Sequence, residues 1–397
     1  MLDRSEPDAT PRTAALIARA KRVATVAAAH ADAVDRDPRF PREAVDAMRE
    51  ERLLGIMIPA HLGGEGADFA DIAQICTTLG AACSASGMVF AMHQIKASSL
   101  VHHGLDSDWH RAFMQKVAEK QLLLGSATTE AGIGGDLRNS ICSIVPDGDN
   151  VRIEKDATVI SYGLDADAIL ATARRAPDAA SSDQVMVVIE KHQASLEQTS
   201  TWDTLGMRGT TSHGFKLAAT VPAEQVFPKP FAEIAAQSML ASSHLFWAAL
   251  WFGIAGSALS KAQASVRQAA RRMPNAVPPG AARLAAAAAE LAGLKTLVRD
   301  GIARFEAARH DDAAINSMAF AVAMNAVKVE ASRRAVALVQ EALTIVGIQG
   351  YKNANPFSIG RQLRDILSAP LMIANDRILS NTATMLLMSR LDTDLED

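Results

Sequence analysis

Residues 122–136 read LLLGSATTEAGIGGD, and they mark the point at which the character of this 397-residue chain changes. Before them, alanine, valine and leucine recur at helical spacing among charged residues, as in residues 11–36. After them, as far as Phe231, short runs rich in β-branched residues alternate with turn residues. Beyond Phe231 the sequence returns to long, alanine-rich helical patterns. The chain is therefore predicted to be helical, then β, then helical again.

This order of segments restricts the fold class. A doubly wound sheet requires strands that alternate with helices, and no such alternation is present. We predict an α+β, mainly α, protein with an N-terminal helical domain over residues 1–121, a central β-barrel or sandwich over 122–231, and a C-terminal helical domain over 232–397. A β-domain between two helical domains leaves a crevice, and cofactors commonly bind in crevices between domains.

The composition excludes several classes of function. The net charge of −4 provides no basic field that would attract nucleic acid or an anionic membrane surface. No stretch reaches the roughly 20 residues of membrane-grade hydrophobicity that a membrane span requires. Because the N-terminal residues are polar and carry no signal core, we expect a cytoplasmic protein. Cys76, Cys83 and Cys142 form no metal-binding or CxxC pattern, so they are expected to be buried free thiols, and no metal site is expected.

The quoted segment is also the first of four motifs that carry chemistry. Its Thr128 and Thr129 supply hydroxyl groups, and Gly134 and Gly135 allow closely spaced backbone N–H groups to face a ligand. Such a loop suits an anionic or carbonyl-rich ligand. The other three motifs are VISYGLDAD at residues 159–167, LGMRGTTS at 205–212 with VPAE at 221–224, and GRQLRD at 360–365.

Together, these motifs and their spacing resemble those of the acyl-CoA dehydrogenase superfamily, and the resemblance covers nearly the whole chain. It implies a C-terminal four-helix bundle and a flavin held between the β-domain and the helices. It also implies that Val159 replaces a Trp beside the flavin ring, and that the Ser161 hydroxyl stands where a Thr reaches the reactive nitrogen. The flavin-contacting positions implied in these motifs are Thr128, Thr129, Gly134, Gly135, Val159 and Ser161.

Two further positions concern the rest of the cofactor. The resemblance implies that Arg272 pairs with the FAD of a neighbouring subunit and that Gly347 belongs to a glycine-rich cofactor loop. The aromatic-glycine pair that follows this arginine in the family is replaced by Asn275 and Ala276, so the adenosine pocket is poorly preserved. We expect FAD, with FMN or reduced flavin as the alternative, in a homo-oligomer such as a dimer or homotetramer.

The family's catalytic glutamate is absent from this sequence. That general base must lie within hydrogen-bond reach of an activated C–H group. Its two usual positions are held here by Ile373 and Phe246, neither of which can accept a proton. His93 lies on the helix that lines the substrate cavity in the family, and it can be a catalytic or substrate-orienting group or a satisfied core residue. The catalytic residue therefore stays unassigned.

Three functions remain open. The first is α,β-dehydrogenation of an acyl thioester carried by CoA or a carrier protein, with an electron-transfer flavoprotein as electron acceptor. The second is a reduced-flavin monooxygenase on the same scaffold, served by a flavin reductase, which needs no α-proton base. The third is a catalytically silent subunit that completes a partner's flavin site in a mixed oligomer. We take the first as the formal expectation, because it is the commoner activity among members of the family.

Overall fold

The computed structural model describes residues 11–134, 136–273, 276–391 and 393. Its N-terminal part contains α1 (Pro11–Arg36), α2 (Arg42–Glu50), α3 (Phe69–Ala82), α4 (Ser84–His103) and α5 (Asp108–Lys120). The helix expected over residues 11–36 is therefore present. Helix α4 is buried on almost every side, which is the pattern of a helix at the centre of a domain. It packs against α3, against the long C-terminal helix Leu240–Arg272, and against the strand Leu124–Ala127.

The central part is built from two sheets. Its strands are β1 (Leu124–Ala127), β2 (Ile144–Asp147), β3 (Asn150–Ile160), β4 (Ala168–Arg174), β5 (Gln184–Glu190), β6 (Ala194–Ser200) and β7 (His213–Pro222). One sheet has the order β1-β4-β5 and the other has the order β2-β3-β7-β6. Within the described residues these strands form two sheets and close no barrel. Of the two predicted arrangements, the barrel is thus not formed.

The C-terminal part is helical, as predicted. Its helices are α6 (Phe231–Ile234), α7 (Leu240–Arg272), α8 (Ala281–Ala308), α9 (Asp312–Ile315), α10 (Met318–Val346), α11 (Ile348–Tyr351), α12 (Gly360–Ile366) and α13 (Asn375–Leu386). A π-helical segment, Ala235–Met239, joins α6 to α7. Helices α7, α8, α10 and α13 are the long members, and α10 contacts each of the other three. These contacts give the four-helix bundle that the family resemblance implied.

The continuous helical segment Phe231–Arg272 corrects one expectation from the sequence. By length and composition alone it is apolar enough to cross a membrane, whereas no such stretch was predicted. However, 83% of its most apolar window is buried against the rest of the protein. The segment is therefore a core helix. It is apolar on several sides because several sides pack against the rest of the protein.

Two of the three cysteines have the predicted environment. Cys76 and Cys83 are buried free thiols, and burial raises the pKa of both. Cys142 is also a free thiol but is only half-buried, because it lies in the segment that leads into β2.

Candidate functional site

A cavity of about 1110 Å³ lies between the β-domain, α4 and the C-terminal helices. Pockets for single drug-sized ligands typically measure about 300–1,000 Å³, so this one can accept a tricyclic ring together with a second small molecule. The helical side of the cavity is mainly apolar. Its residues there include Met88, Met92, Leu240, Trp247, Phe320 and Met324.

The side of the cavity nearest the strands is lined by hydroxyl groups. This hydroxyl wall consists of Ser126, Thr128, Ser161, Thr210 and Ser212. The Oγ atoms of Ser161 and Ser212 are 2.8 Å apart, and Ser212 Oγ is 2.9 Å from Thr210 Oγ1. Such a row of hydroxyls can donate or accept hydrogen bonds toward the polar edge of a flavin ring. The predicted positions Thr128 and Ser161 thus meet in one wall, although they come from different motifs.

The other predicted flavin-contacting residues have distinct positions. Thr129 lines the cavity, but its hydroxyl donates to the carbonyl of Val159 at 3.0 Å, so it fixes the loop to β3. Val159 itself also lines the cavity. Gly134 has a left-handed φ of +58°, and its carbonyl accepts a hydrogen bond from Arg377 of α13. Gly135 lies outside the described residues.

A buried carboxylate that the sequence reading missed holds this loop in place. Glu130 accepts hydrogen bonds from Ser140 Oγ at 2.8 Å and from the Cys142 backbone N–H at 2.6 Å, and it pairs with Lys155 at 3.2 Å. Burial favours the neutral carboxylic acid, but Lys155 and these donors outweigh it and lower the pKa of Glu130. The signal in the sequence is Lys155, which occupies an inward position of the alternating strand β3.

The GRQLRD motif connects the β-domain to the bundle. Asp365 is buried, burial raises its pKa, and its Oδ1 accepts a hydrogen bond from the backbone N–H of Met207 at 2.7 Å. Arg364 pairs with Asp35 of α1 and donates to the Leu205 carbonyl at 3.1 Å. The third and fourth motifs therefore fix each other, and together they position the part of the hydroxyl wall that follows Met207.

His93 is a core residue and does not line the cavity. Its Nε2 lies 2.6 Å from the carbonyl oxygen of Leu54, and its Nδ1 accepts a hydrogen bond from the backbone N–H of Leu124 at 3.0 Å. Burial lowers the pKa of His93 to about 4. Because both ring nitrogens already have backbone partners, the catalytic role considered for His93 has no support from its position.

Neither of the family's base positions supplies a proton acceptor. Ile373 lines the cavity with an unusual φ of +49°, and its carbonyl accepts a hydrogen bond from Lys328 at 2.6 Å. Phe246 is fully buried and packs on Phe69. In the described part of the chain, Asp136 is the only carboxylate that lines the cavity, and its hydrogen bond from Arg138 lowers its pKa.

Two buried basic side chains in the cavity wall were also missed. Lys96 lies on α4, and burial lowers its pKa to about 7. His244 lies on α7 with Nε2 at 3.3 Å from Asn325 Oδ1, and burial lowers its pKa to about 4. Lys96 could have been found from the sequence, because it follows Met88 and Met92 at intervals of four residues on an otherwise apolar helical face.

Arg272 and Gly347 do not line the cavity of their own chain. Arg272 is exposed at the C-terminal end of α7, and Gly347 is exposed with φ +68° just after α10. Contact of Arg272 with a neighbour's cofactor stays a prediction. Asn275 lies outside the described residues, while Ala276 is exposed.

Comparison with known proteins agrees with this architecture. Family models match residues 10–135 as the acyl-CoA dehydrogenase N-terminal domain and residues 234–381 as its C-terminal domain. Cyclohex-1-ene-1-carbonyl-CoA dehydrogenase of Geobacter metallireducens is 27% identical over 84% of this chain and 86% of that protein. Amino sugar nitrososynthase DnmZ of Streptomyces peucetius is 25% identical over 85% of this chain and 84% of the length of DnmZ.

A solved structure shows the same fold. FMN-bound TdsC of Paenibacillus sp. A11-2 superposes with a TM-score of 0.83 at 19% identity, over 95% of this chain and 98% of TdsC. The two family models match in their expected order and together span more than half of the sequence. The chain therefore belongs to the acyl-CoA dehydrogenase superfamily of flavin-dependent oxidoreductases.

Proposed function

We propose that this protein oxidises an acyl thioester by α,β-dehydrogenation, with a flavin bound in the cavity. The observation that carries the proposal is the hydroxyl wall, which faces an apolar helical wall across a space large enough for a ring and an acyl chain. Thr128, Thr129, Gly134, Val159 and Ser161 would hold the flavin. When bound, the flavin supplies the hydride acceptor.

The residues present fit such a cofactor. Ser161 and Thr128 both line the cavity, and a Cβ added at Gly134 would meet only open space. The Thr129 hydroxyl and the Glu130 carboxylate hold this loop against β3 and β2, so its shape is formed before any ligand enters. A preformed loop of this kind lowers the ordering cost of binding.

The apolar helical wall determines what the second ligand can be. Met88, Met92, Trp247 and Phe320 exclude water from a long surface that suits an acyl chain. The relative from Geobacter metallireducens is named as a dehydrogenase of a CoA thioester, and this supports the same substrate class here. An electron-transfer flavoprotein would then be the electron acceptor, and a homo-oligomer would bring Arg272 to a neighbouring cofactor.

A second candidate, a reduced-flavin monooxygenase, is favoured by one specific observation. Ile373 and Phe246 leave both base positions without a carboxylate, and Asp136 is already paired with Arg138. A monooxygenase needs no carboxylate to remove an α-proton. The relative DnmZ is named as a nitrososynthase, and this name supports chemistry other than dehydrogenation for the present chain. A flavin reductase would be its partner.

The deciding experiment measures the flavin spectrum of the purified protein. If dehydrogenation is correct, the protein retains FAD, and anaerobic addition of medium-chain acyl-CoA bleaches the flavin absorbance. If the protein instead holds no flavin and transfers an oxygen atom to an organic substrate only when reduced flavin is supplied, the monooxygenase is correct. A colourless protein that does neither is the silent subunit of a mixed oligomer, and both enzyme proposals fail.

A variant at Ile373 tests whether the cavity still accepts thioesters. Ile373→Glu places a carboxylate at a family base position, so we expect flavin bleaching by acyl-CoA to become at least about 100-fold faster, within the range for a positioned general base. Ile373→Gln is the matched control, since it has nearly the same shape but cannot take a proton. Equal rates for the two variants would contradict a thioester bound with its α-carbon near Ile373.

A further inference from the structure

Lys96 is a buried cation in the wall of the cavity. Its side chain is 4% exposed, and it continues the line of Met88 and Met92 along one face of α4. Its Nζ donates to the sulfur of Met239 at 3.3 Å, and a thioether is a weak acceptor. Among the described residues, no carboxylate pairs with it. The cavity therefore contains an ammonium group whose charge the protein leaves unbalanced.

The position of Lys96 along α4 separates it from the Thr210 end of the hydroxyl wall. A Cβ added at Gly209 would stand 2.9 Å from Ala85 Cβ, so the start of α4 touches the segment that leads into Thr210. Lys96 is eleven residues further on, which is about 16 Å along a helix. It lies beside Met239, at the end of the π-helical segment. Lys96 is thus distant from the Thr210 end of the hydroxyl wall, whereas His93, one turn before it, contacts Leu124 of β1, the strand that carries Ser126.

The remaining charged groups of the cavity wall do not compensate Lys96. Asp136 is paired with Arg138, Arg364 is paired with Asp35, and Arg377 donates to the Gly134 carbonyl. Burial lowers the pKa of His244, the other buried basic residue of the cavity wall, to about 4, so this side chain is neutral near pH 7. Burial also disfavours the charged form of Lys96, which lowers its pKa to about 7. A ligand anion would remove this penalty by restoring a charge partner.

We propose that Lys96 binds an anionic group at the end of the substrate distant from the reacting carbon, so that the substrate is an acyl thioester with a terminal carboxylate. This inference rests on the proposed function, because it assigns the acyl chain to the space between the hydroxyl wall and Lys96. The apolar surface between them suits the methylene chain, and the ammonium supplies three donors for the terminal oxygens.

The test compares two thioesters of equal chain length, adipoyl-CoA and hexanoyl-CoA. The wild-type protein, reconstituted with FAD, is expected to bind adipoyl-CoA at least about tenfold more tightly than hexanoyl-CoA. Only adipoyl-CoA has a terminal carboxylate that can pair with the buried ammonium of Lys96. Lys96→Met has similar length and no charge, so it should lose this preference and bind hexanoyl-CoA as well as or better than the wild type. Lys295→Met removes an exposed charge on α8 and is the matched control, which should keep the preference.

A second pair of probes without CoA separates this inference from the thioester proposal. Adipic acid monoamide and hexanamide are compared by ligand-observed NMR. If the thioesters do not bind but the monoamide is preferred and Lys96→Met abolishes that preference, the anion site stands and the thioester function falls. If hexanoyl-CoA binds and bleaches the flavin but neither pair shows a preference, the role of Lys96 is overturned alone. Absence of binding by all four probes overturns both.

Discussion

At the scale of single residues, the flavin-side loop depends on the buried pair Glu130 and Lys155. Glu130 has four hydrogen-bonding partners, namely Ser140, Ile141, Cys142 and Lys155. Both side chains are almost completely excluded from solvent. A buried pair of this kind adds little net stability against an apolar replacement, but loss of one member leaves the other charge unpaired.

Glu130→Gln is therefore expected to lower the free energy of unfolding by about 3–5 kcal/mol, because Lys155 keeps its charge without a partner. The same change should weaken flavin binding, since the loop that carries Thr128 and Thr129 loses its anchor. Denaturant unfolding and flavin titration are the two measurements.

The double variant Glu130→Gln/Lys155→Met provides the control for this prediction. Removing both charges should cost clearly less than the sum of the two single changes, since no unpaired charge remains. Additive losses would mean that the two residues act independently, and the argument from pairing would fail.

At the scale of elements, α3 and α7 approach closely because of one glycine. A Cβ at Gly253 would overlap the carbonyl oxygen of Thr77, whereas a Cβ at Gly256, one turn later, would meet nothing within 4 Å. Thr77 Oγ1 also donates to the Ala249 carbonyl at 3.0 Å across the same interface. This contact sets the distance between the N-terminal domain and the bundle, and so the width of the cavity.

Gly253→Ala and Gly256→Ala are consequently a matched pair on one helix. Gly253→Ala should lower the free energy of unfolding by about 1–3 kcal/mol, since overpacking forces α3 and α7 apart. Gly256→Ala should raise it by up to about 1 kcal/mol, because alanine is the better helix former. Thermal or denaturant unfolding measures both, and stabilisation by both substitutions would show that the interface is not tightly packed.

The elements also show where prediction from sequence succeeds. Helical spacing predicted the helix over residues 11–36, and short β-branched runs separated by turn residues predicted the β-rich centre. Between Phe69 and His103, Cys83 adopts extended backbone and divides the helical residues into α3 and α4. Cys83 itself is neither glycine nor proline, so turn chemistry at this position does not predict the break.

The site could also be predicted in part. The family resemblance implied that Thr128, Val159 and Ser161 face one ligand, and all three line the same cavity. The role of His93 could not be settled from its sequence position. It depends on the backbone of Leu54 and Leu124, which come from other parts of the chain. Contacts between segments distant in sequence decide whether a buried polar residue is structural or functional.

At the scale of the whole molecule, buried histidines link stability to pH. Burial lowers the pKa to about 4 for each of four histidines, which are His93, His103, His110 and His244. All four are less than a tenth exposed. The native protein keeps them neutral, whereas the unfolded chain takes up protons once the pH falls below their ordinary pKa of 6.5.

Between pH 6.5 and about 4 the unfolded state therefore binds more protons, and stability should fall as the pH is lowered through this window. Each such histidine contributes a slope of about 1.4 kcal/mol per pH unit in the middle of the window. Unfolding free energies measured with guanidinium at several pH values give the total proton uptake. His93→Gln should reduce that uptake by about one proton, whatever its effect on stability at pH 7. An unchanged slope in this variant would mean that His93 is already protonated in the folded protein, and its assignment as a neutral core residue would fail.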